Sequence, residues 1–269
     1  MYQNQATALS KALVIFLLDV SGSMGKPMEN GTRIQVVKDA LKVTITEMVQ
    51  RSLKQKMLRP RYRVAMLAYS DDVYDVLGGK KNDIGEGTVR DIDYIAKIGV
   101  PKLEPLNRTD TTRGFRIVQK LLERERGNIT KVCPAPLVIH MTDGEFTSKE
   151  DPESVVREIQ QIKVDDGNVL VENLFVSPDL RVTTKKATDW PGYKSGEDVG
   201  NPYGNRLLSL SSSLPEMYRT VMGEMNYSIQ PDTVMMYPGL NLEFVRMAFV
   251  MSTVSAGSGE KTEKNWESD

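Results

Sequence analysis

Almost continuous runs of apolar residues occur at residues 13–18, 137–141 and 168–176. Such runs, without regular alternation of apolar and polar residues, are typical of strands buried on both faces, as in a parallel sheet. Residues 63–69 and 72–77 predict two more strands, which a tight antiparallel turn would join. The first run ends abruptly in aspartate, serine and glycine, so a loop is predicted directly after a central strand.

Elsewhere, apolar residues recur every three to four positions, which is the spacing of an amphipathic helix. The longest such stretch is residues 33–58, and Pro60 is predicted to stop it. Further helices are predicted at residues 89–98, 111–127, 152–162, 215–225 and 241–254, and a sixth strand at 206–214. Thr111 or Thr112 is the predicted N-cap of the helix that starts there.

The alternation of strands and helices predicts an α/β fold with a Rossmann-like, doubly wound, mostly parallel sheet. Residues 11–254 are interpreted as one domain that follows a polar lead-in at 1–10. Residues 177–205 have few apolar anchors and are predicted to be a long loop insertion, either functional or decorative. Residues 255–269 are polar and are predicted to be a disordered tail.

Composition is ordinary for a globular protein, with 40% hydrophobic and 26% charged residues. The formal net charge of −1 gives no indication of a nucleic-acid or membrane partner. A single cysteine, Cys133, excludes an internal disulfide and fits a reducing compartment. The first residues lack the pattern of a signal peptide and no apolar run could span a bilayer, so a cytoplasmic location is expected.

Oxygen-bearing side chains follow two of the predicted strands. Asp19, Ser21 and Ser23 form a D-x-S-x-S pattern after the first strand, and Asp143 follows the strand at 137–141. Thr109 lies in a hydroxyl-rich loop at residues 107–114. In open α/β sheets, ligands bind at the carboxyl ends of the strands, and carboxylate and hydroxyl oxygens suit a hard cation such as Mg²⁺.

These three segments resemble the von Willebrand factor A (vWA) family, whose metal-ion-dependent adhesion site (MIDAS) combines a D-x-S-x-S loop, a threonine and an aspartate in a T-D-G turn. The resemblance assigns Asp19, Ser21, Ser23, Thr109 and Asp143 as an intact metal site. It implies the strand order 3-2-1-4-5-6 with the third strand antiparallel. It further implies that the serines and the threonine bind the metal, while the aspartates ligate it or orient water.

The function that this resemblance implies is metal-dependent protein–protein interaction, in which an Asp or Glu side chain of a partner binds the metal. Mg²⁺ is the expected cation, with Mn²⁺ or Ca²⁺ as alternatives. The segment at 210–215 (LSSSLP) and the last helix resemble cytoplasmic bacterial vWA proteins of the tellurite-resistance and stress-response type. That narrower resemblance implies a non-catalytic adaptor whose partners include ATPases, kinases or phosphatases.

One enzymatic interpretation fails on spacing, and a second is disfavoured because Ser21 stands where its first glycine is required. A phosphate-binding loop requires G-x-x-x-x-G-K-[ST], which Gly22, Gly25 and Lys26 do not reproduce. A nucleophile elbow centred on Ser23 would need G-x-S-x-G and a histidine base. The chain's only histidine, His140, lies inside an apolar run and is predicted to be a packed core residue.

Two other interpretations stay open. A metal-dependent hydrolase or phosphotransferase could use the same oxygen ligands, although no motif supplies a general base or a nucleophile. A structural subunit with a permanently occupied metal site would need the same ligands and no exchangeable partner. The sequence therefore predicts a metal site and favours binding over catalysis.

Overall fold

The computed structural model describes residues 1–29, 31–78, 85, 87–146, 150–182, 184 and 186–253. Six strands and seven α-helices organise this part of the chain. The strands are β1 (Ala12–Asp19), β2 (Tyr62–Tyr69), β3 (Val73–Asp75), β4 (Leu137–Thr142), β5 (Leu170–Phe175) and β6 (Met236–Pro238). The helices are α1 (Arg33–Ser52), α2 (Ile92–Ile98), α3 (Thr111–Glu125), α4 (Glu153–Gln161), α5 (Pro202–Leu210), α6 (Glu216–Glu224) and α7 (Leu242–Thr253).

The sheet has the order β6-β5-β4-β1-β2-β3, and a short segment, Arg90–Asp91, also pairs with β2. All neighbours in the order are parallel except β2 and β3, which are antiparallel. This arrangement confirms the predicted fold class and the predicted order 3-2-1-4-5-6. The central strand is β1, which lies between β2 and β4 with Leu18 opposite Ala68 and Met141.

The core lies on both faces of this sheet because β1 is buried along its whole length. Helix α1 packs beside α2 and α7, and α4 packs between α3 and α5. Two groups of helices thus cover the sheet, which is why the central strand β1 is apolar at every position from residue 12 to residue 18 rather than at alternate positions. Among the described residues, none of the helices has both the length and the apolar character to cross a membrane.

The prediction of a sixth strand at residues 206–214 was wrong. They belong mostly to helix α5, whose start is fixed by Asn201, since its side chain accepts hydrogen bonds from the backbone N–H groups of Tyr203 and Gly204. Pro202 occupies the first turn, where its missing N–H has no cost. The sixth strand is instead β6, a short run of three buried residues.

Helix α1 ends at Ser52, earlier than the predicted end at residue 58. The chain then forms a small hairpin in which Leu53–Lys54 pairs with Met57–Leu58. Gln55 and Lys56 occupy the two-residue turn, both with positive φ (51° and 63°), as a tight hairpin requires. The helix was predicted to be too long because the helical spacing of apolar residues continues through this turn. The turn contains neither glycine nor asparagine, so the sequence gives no local sign of it.

The excursion at residues 177–205 is packed more tightly than its composition predicts. Trp190 is 1% exposed, and its ring lies 5.0 Å from Tyr193, 5.8 Å from Tyr237 and 5.9 Å from Phe244, measured between centroids. Tyr237 belongs to β6 and Phe244 to α7, so the excursion covers the edge of the sheet. The prediction for residues 255–269 lies outside the described residues.

The lead-in is tied to the amino edge of the sheet. Asp166, in a short hairpin before β5, accepts hydrogen bonds from the backbone N–H groups of Gln3 and Asn4 through Oδ1. Its Oδ2 accepts one from the N–H of Ala135, just before β4. This buried carboxylate therefore has a structural role at the edge opposite to the candidate site.

Candidate metal centre

The first loop of the candidate site turns sharply after β1. The Oδ1 atom of Asp19 accepts a hydrogen bond of 2.8 Å from the backbone N–H of Ser21, which closes the turn. A 3₁₀ helix, Gly22–Gly25, follows and brings the hydroxyl oxygens of Ser21 and Ser23 to 3.0 Å from each other. The D-x-S-x-S spacing thus places a carboxylate and two hydroxyls on one tight turn.

The second loop, which carries Thr109, is held against the first by backbone hydrogen bonds. The N–H of Leu106 donates to the carbonyl of Val20 at 2.6 Å, and the N–H of Asp110 donates to the carbonyl of Ser70 at 2.8 Å. Val20 follows β1 and Ser70 follows β2, so Thr109 lies at the carboxyl edge of the sheet. It is 4% exposed.

Helix α3 starts directly after Thr109. Its N-cap is Asp110, whose Oδ1 accepts a hydrogen bond from the N–H of Arg113 at 3.0 Å. The predicted cap at Thr111 or Thr112 was therefore wrong by one or two residues, since both threonines lie inside the helix and are buried. An aspartate side chain accepts hydrogen bonds from the first-turn N–H groups as well as a threonine side chain does. Its negative charge is also stabilised by the positive amino end of the helix dipole.

The third loop begins at Asp143, directly after β4. The preceding Thr142 donates a hydrogen bond of 2.7 Å from its hydroxyl to Oδ2 of Asp19, which links the carboxyl ends of β4 and β1. The same hydroxyl oxygen accepts the N–H of Gly144. Oδ1 of Asp143 accepts a hydrogen bond from the N–H of Glu145 at 3.1 Å. Loops one and three are thus connected by a side chain that sequence reasoning did not single out.

Electrostatics at this edge is dominated by two buried carboxylates, Asp19 (0% exposed) and Asp143 (1% exposed). Burial and, secondly, the negative charge of Asp143 raise the pKa of Asp19 to about 6. Two buried anions that destabilise each other make a favourable environment for a cation. Ser21 is buried and Ser23 is only partly buried, so the cluster opens to solvent on the side of Ser23.

The structure adds three charged residues that the sequence did not assign to the site: Lys26, Arg33 and Glu145, here called the rim cluster. Nη1 of Arg33 lies 2.5 Å from Oδ2 of Asp143 and 2.9 Å from Oε1 of Glu145. Nζ of Lys26 lies 2.6 Å from Oε1 of Glu145. These partners are more than 100 residues apart in sequence, so no local pattern could have indicated them.

The donor set fits a hard divalent cation. Among the described residues, no group of three or more His, Cys, Asp or Glu side chains could hold a metal ion. A cation at this edge would therefore depend on the serine and threonine hydroxyls in addition to the two carboxylates. Oxygen ligands of this kind suit Mg²⁺ or Mn²⁺ and are poor ligands for soft metals.

His140 lies in β4 and is fully buried, as predicted. Its Nδ1–H donates to Oδ1 of Asn173 at 2.8 Å, so the neutral ring accepts the Tyr69 hydroxyl hydrogen at Nε2, at 2.7 Å. Burial lowers the pKa of His140 to about 4. Because both ring nitrogens are occupied within the core, this histidine is not placed to act as a base toward Ser23.

Fold and site together define the class of protein: a Rossmann-like α/β domain with oxygen-rich loops at the carboxyl edge of its sheet. Residues 14–145 match the family model of the von Willebrand factor type A domain. This region covers a little under half of the chain and includes all three loops of the candidate site. Residues 14–145 are therefore similar to a von Willebrand factor type A domain.

Several solved structures show a weak likeness to the chain. The manganese-loaded TRAP protein of Plasmodium vivax is 21% identical, with a TM-score of 0.38, over 61% of this chain and 57% of that one. A mutant of the PilB minor pilin of Streptococcus sanguinis is 12% identical, with a TM-score of 0.48, over 91% and 62%. A mussel byssus protein, proximal thread matrix protein 1 with a zinc-occupied MIDAS motif, is 15% identical, with a TM-score of 0.38, over 63% and 37%.

In each of these three comparisons, the chain spans less than two thirds of the other protein's length. None of the curated proteins matches the chain significantly. The similarity to this family thus rests on the model match over residues 14–145.

Proposed function

We propose that this chain is a non-catalytic interaction module that binds a divalent cation and, through it, an acidic side chain of a partner protein. The proposed metal ligands are Asp19, Ser21, Ser23, Thr109 and Asp143. The observation that carries the proposal is the buried pair of carboxylates, Asp19 and Asp143, at the carboxyl edge of adjacent strands beside the paired hydroxyls of Ser21 and Ser23.

The hydrogen bonds indicate different roles for Asp19 and for the two serines. Both carboxylate oxygens of Asp19 already accept hydrogen bonds, from the Ser21 N–H and the Thr142 hydroxyl. Asp19 is therefore placed to hold the loops in position and to orient a water molecule. The hydroxyls of Ser21 and Ser23 lie 3.0 Å from each other, and that of Ser21 also hydrogen-bonds to Asp19, so the lone pairs of both hydroxyl oxygens can turn toward a cation.

A bound divalent cation would supply an electrophilic coordination position that an external carboxylate can occupy. Neutral hydroxyls make up most of the donor set, so the ligands would only balance the charge of the cation and leave it attractive to another anion. The partly exposed side chain of Ser23 marks the side from which a partner would approach.

Binding is favoured over catalysis because the candidate bases near the site are engaged elsewhere. His140 is buried and hydrogen-bonded through both nitrogens. Glu145 is paired with both Lys26 and Arg33. We extend the proposal to Mg²⁺ as the cation and to a cytoplasmic bacterial stress or defence system, with an ATPase, kinase or phosphatase as partner; this extension is supported only by the resemblance in sequence.

The proposal is tested by capturing partners on immobilised protein from a lysate of the source cell, with Mg²⁺ and with EDTA. The variants are wild type, Asp19→Asn and a matched control, Asp166→Asn, which makes the same chemical change in a buried aspartate at the opposite edge of the sheet. A partner retained by wild type and Asp166→Asn with Mg²⁺, but lost with EDTA and with Asp19→Asn, is the expected result. Capture that is identical under all conditions would refute the proposal.

A further inference from the structure

Arg33 occupies an unusual position for a cationic side chain. It is the first residue of helix α1 and is only 7% exposed. Its guanidinium points toward the candidate metal site, where Nη1 contacts a proposed metal ligand, Asp143, at 2.5 Å. The same nitrogen contacts Glu145 of the rim cluster at 2.9 Å.

Two features of this position disfavour a positive charge. The amino end of a helix carries a partial positive charge, which repels a cation by a few tenths of a kcal/mol to about 1 kcal/mol. Burial also removes the guanidinium from water, and its Nε is buried without a hydrogen-bond partner. A guanidinium is charged at any ordinary pH, so its ion pairs with Asp143 and Glu145 are what offset the cost of this burial. Its contact with these two carboxylates therefore accounts for its place in the fold.

We infer that Arg33 is a built-in positive charge that competes with the divalent cation for Asp143; this inference rests on the proposed function. Without metal, the guanidinium neutralises one of the two buried carboxylates and holds Asp143 in place. A cation entering the site must share Asp143 with Arg33 and is repelled by its charge. The metal affinity is thereby held below the value that two unpaired carboxylates would give.

The rim cluster also sets the charge of the loaded site. Asp19, Asp143 and Glu145 are anionic and Arg33 and Lys26 are cationic, so together they carry one net negative charge. A divalent cation changes this to one net positive charge. Arg33 and Lys26 therefore make the loaded site cationic overall, which favours an acidic partner group over a neutral one.

Calorimetric titration of the full chain with Mn²⁺ alone tests this inference, using wild type, Arg33→Gln and a matched control, Arg63→Gln. Arg63 also forms an ion pair, at 2.6 Å with the buried Glu125, but it is only partly buried and lies at the amino end of β2, away from the site. Arg33→Gln is expected to bind Mn²⁺ about tenfold more tightly than wild type, because one unit of positive charge is removed within a few ångströms of the cation. Arg63→Gln is expected to match wild type.

Thermal unfolding gives a second measurement on the same proteins. In EDTA, Arg33→Gln should unfold at a lower temperature than wild type, because Asp143 is left buried without its cation. Saturating Mn²⁺ should raise its unfolding temperature by more than it raises that of wild type. Arg33→Lys, which keeps the charge, should retain an affinity close to that of wild type.

The outcomes separate this inference from the proposed function. If wild type binds Mn²⁺ and Arg33→Gln binds it equally well or more weakly, Arg33 only orients Asp143 and the inference is wrong. If none of the variants binds Mn²⁺, the metal site itself is refuted together with the inference.

Discussion

His140 is the only histidine of the chain, so its protonation can be followed without ambiguity. We predict that NMR titration of its imidazole gives a pKa of about 4, far below the ordinary value of 6.5, because the ring is fully buried. The single signal should then stay unchanged between pH 5.5 and 8 in a chain without a histidine tag. A midpoint near 6.5 would contradict the buried, doubly hydrogen-bonded ring.

The same shift has a consequence for stability. A histidine whose pKa is lower in the folded state makes the protein lose stability as the pH falls from 6.5 toward 4, because the unfolded chain takes up the proton first. The loss attributable to His140 should reach on the order of 3 kcal/mol at pH 4. The contribution of His140 is the difference between the unfolding free energies of wild type and His140→Gln, measured by urea unfolding across this pH range.

Asp19 should affect stability in the opposite direction. Its pKa is raised to about 6, so the metal-free protein loses stability as the pH rises from about 4 through 6 and the buried carboxylate ionises. In EDTA at pH 8, we predict that Asp19→Asn unfolds at a higher urea concentration than wild type, by roughly 1–3 kcal/mol in unfolding free energy. A less stable variant would show that the hydrogen bonds of Asp19 outweigh its repulsion from Asp143.

Among individual residues, the sequence alone predicts those that share a local pattern, such as Asp19, Ser21 and Ser23. It could not identify Thr142 or Arg33, because their partners lie across the sheet or on another loop. The D-x-S-x-S pattern has a fixed spacing along the chain. A buried ion pair between α1 and the loop after β4 has no such spacing, so only the fold reveals it.

At the scale of the structural elements, Gly22 allows the loop after β1 to approach the loop that carries Thr109. A Cβ atom at this position would lie 3.0 Å from the carbonyl oxygen of Leu106 and 3.2 Å from that of Asn107. We predict that Gly22→Ala separates the loops, lowering the free energy of unfolding by about 1–2 kcal/mol and weakening Mn²⁺ binding. The matched control is Gly127→Ala, whose Cβ would meet no atom within 4 Å. Equal behaviour of the two variants would contradict the tight loop contact.

The excursion at residues 177–205 should behave as a structural part of the domain. Trp190→Ala is predicted to lower the free energy of unfolding by about 3–5 kcal/mol, because a fully buried indole would be lost from a cluster with Tyr193, Tyr237 and Phe244. Urea unfolding followed by circular dichroism measures the change, with the exposed Tyr94→Ala as control. Nearly unchanged stability of Trp190→Ala would show that the excursion is a separable decoration.

The errors of prediction at this scale have two physical causes. Residues 206–214 contain leucines and serines that fit a strand or a helix, and the deciding signal was the Asn201–Pro202 cap upstream. The aromatic residues of the excursion were spread among glycines, prolines and lysines, and only the tertiary structure brings them together. Short apolar runs and scattered aromatics are ambiguous until their packing partners are known.

For the whole molecule, the order of the sheet follows from continuous apolar strands, their alternation with helices and the family resemblance. The carboxyl ends of β1 and β4 meet at the point where the strand order reverses, which is where a crevice is expected in such sheets. The candidate site is therefore a property of the topology as much as of its five residues. Their assignment as metal ligands remains a prediction.

The most direct test of this account is a crystal structure of the chain grown with Mn²⁺, with data collected to record the anomalous scattering of manganese. The account predicts one strong anomalous peak within coordination distance of the hydroxyls of Ser21 and Ser23, with Thr109, Asp19 and Asp143 around it. That peak should be absent from crystals of Asp19→Asn grown in the same way. An ordered site without a peak in wild-type crystals, or a peak bound only elsewhere, would contradict the central claim.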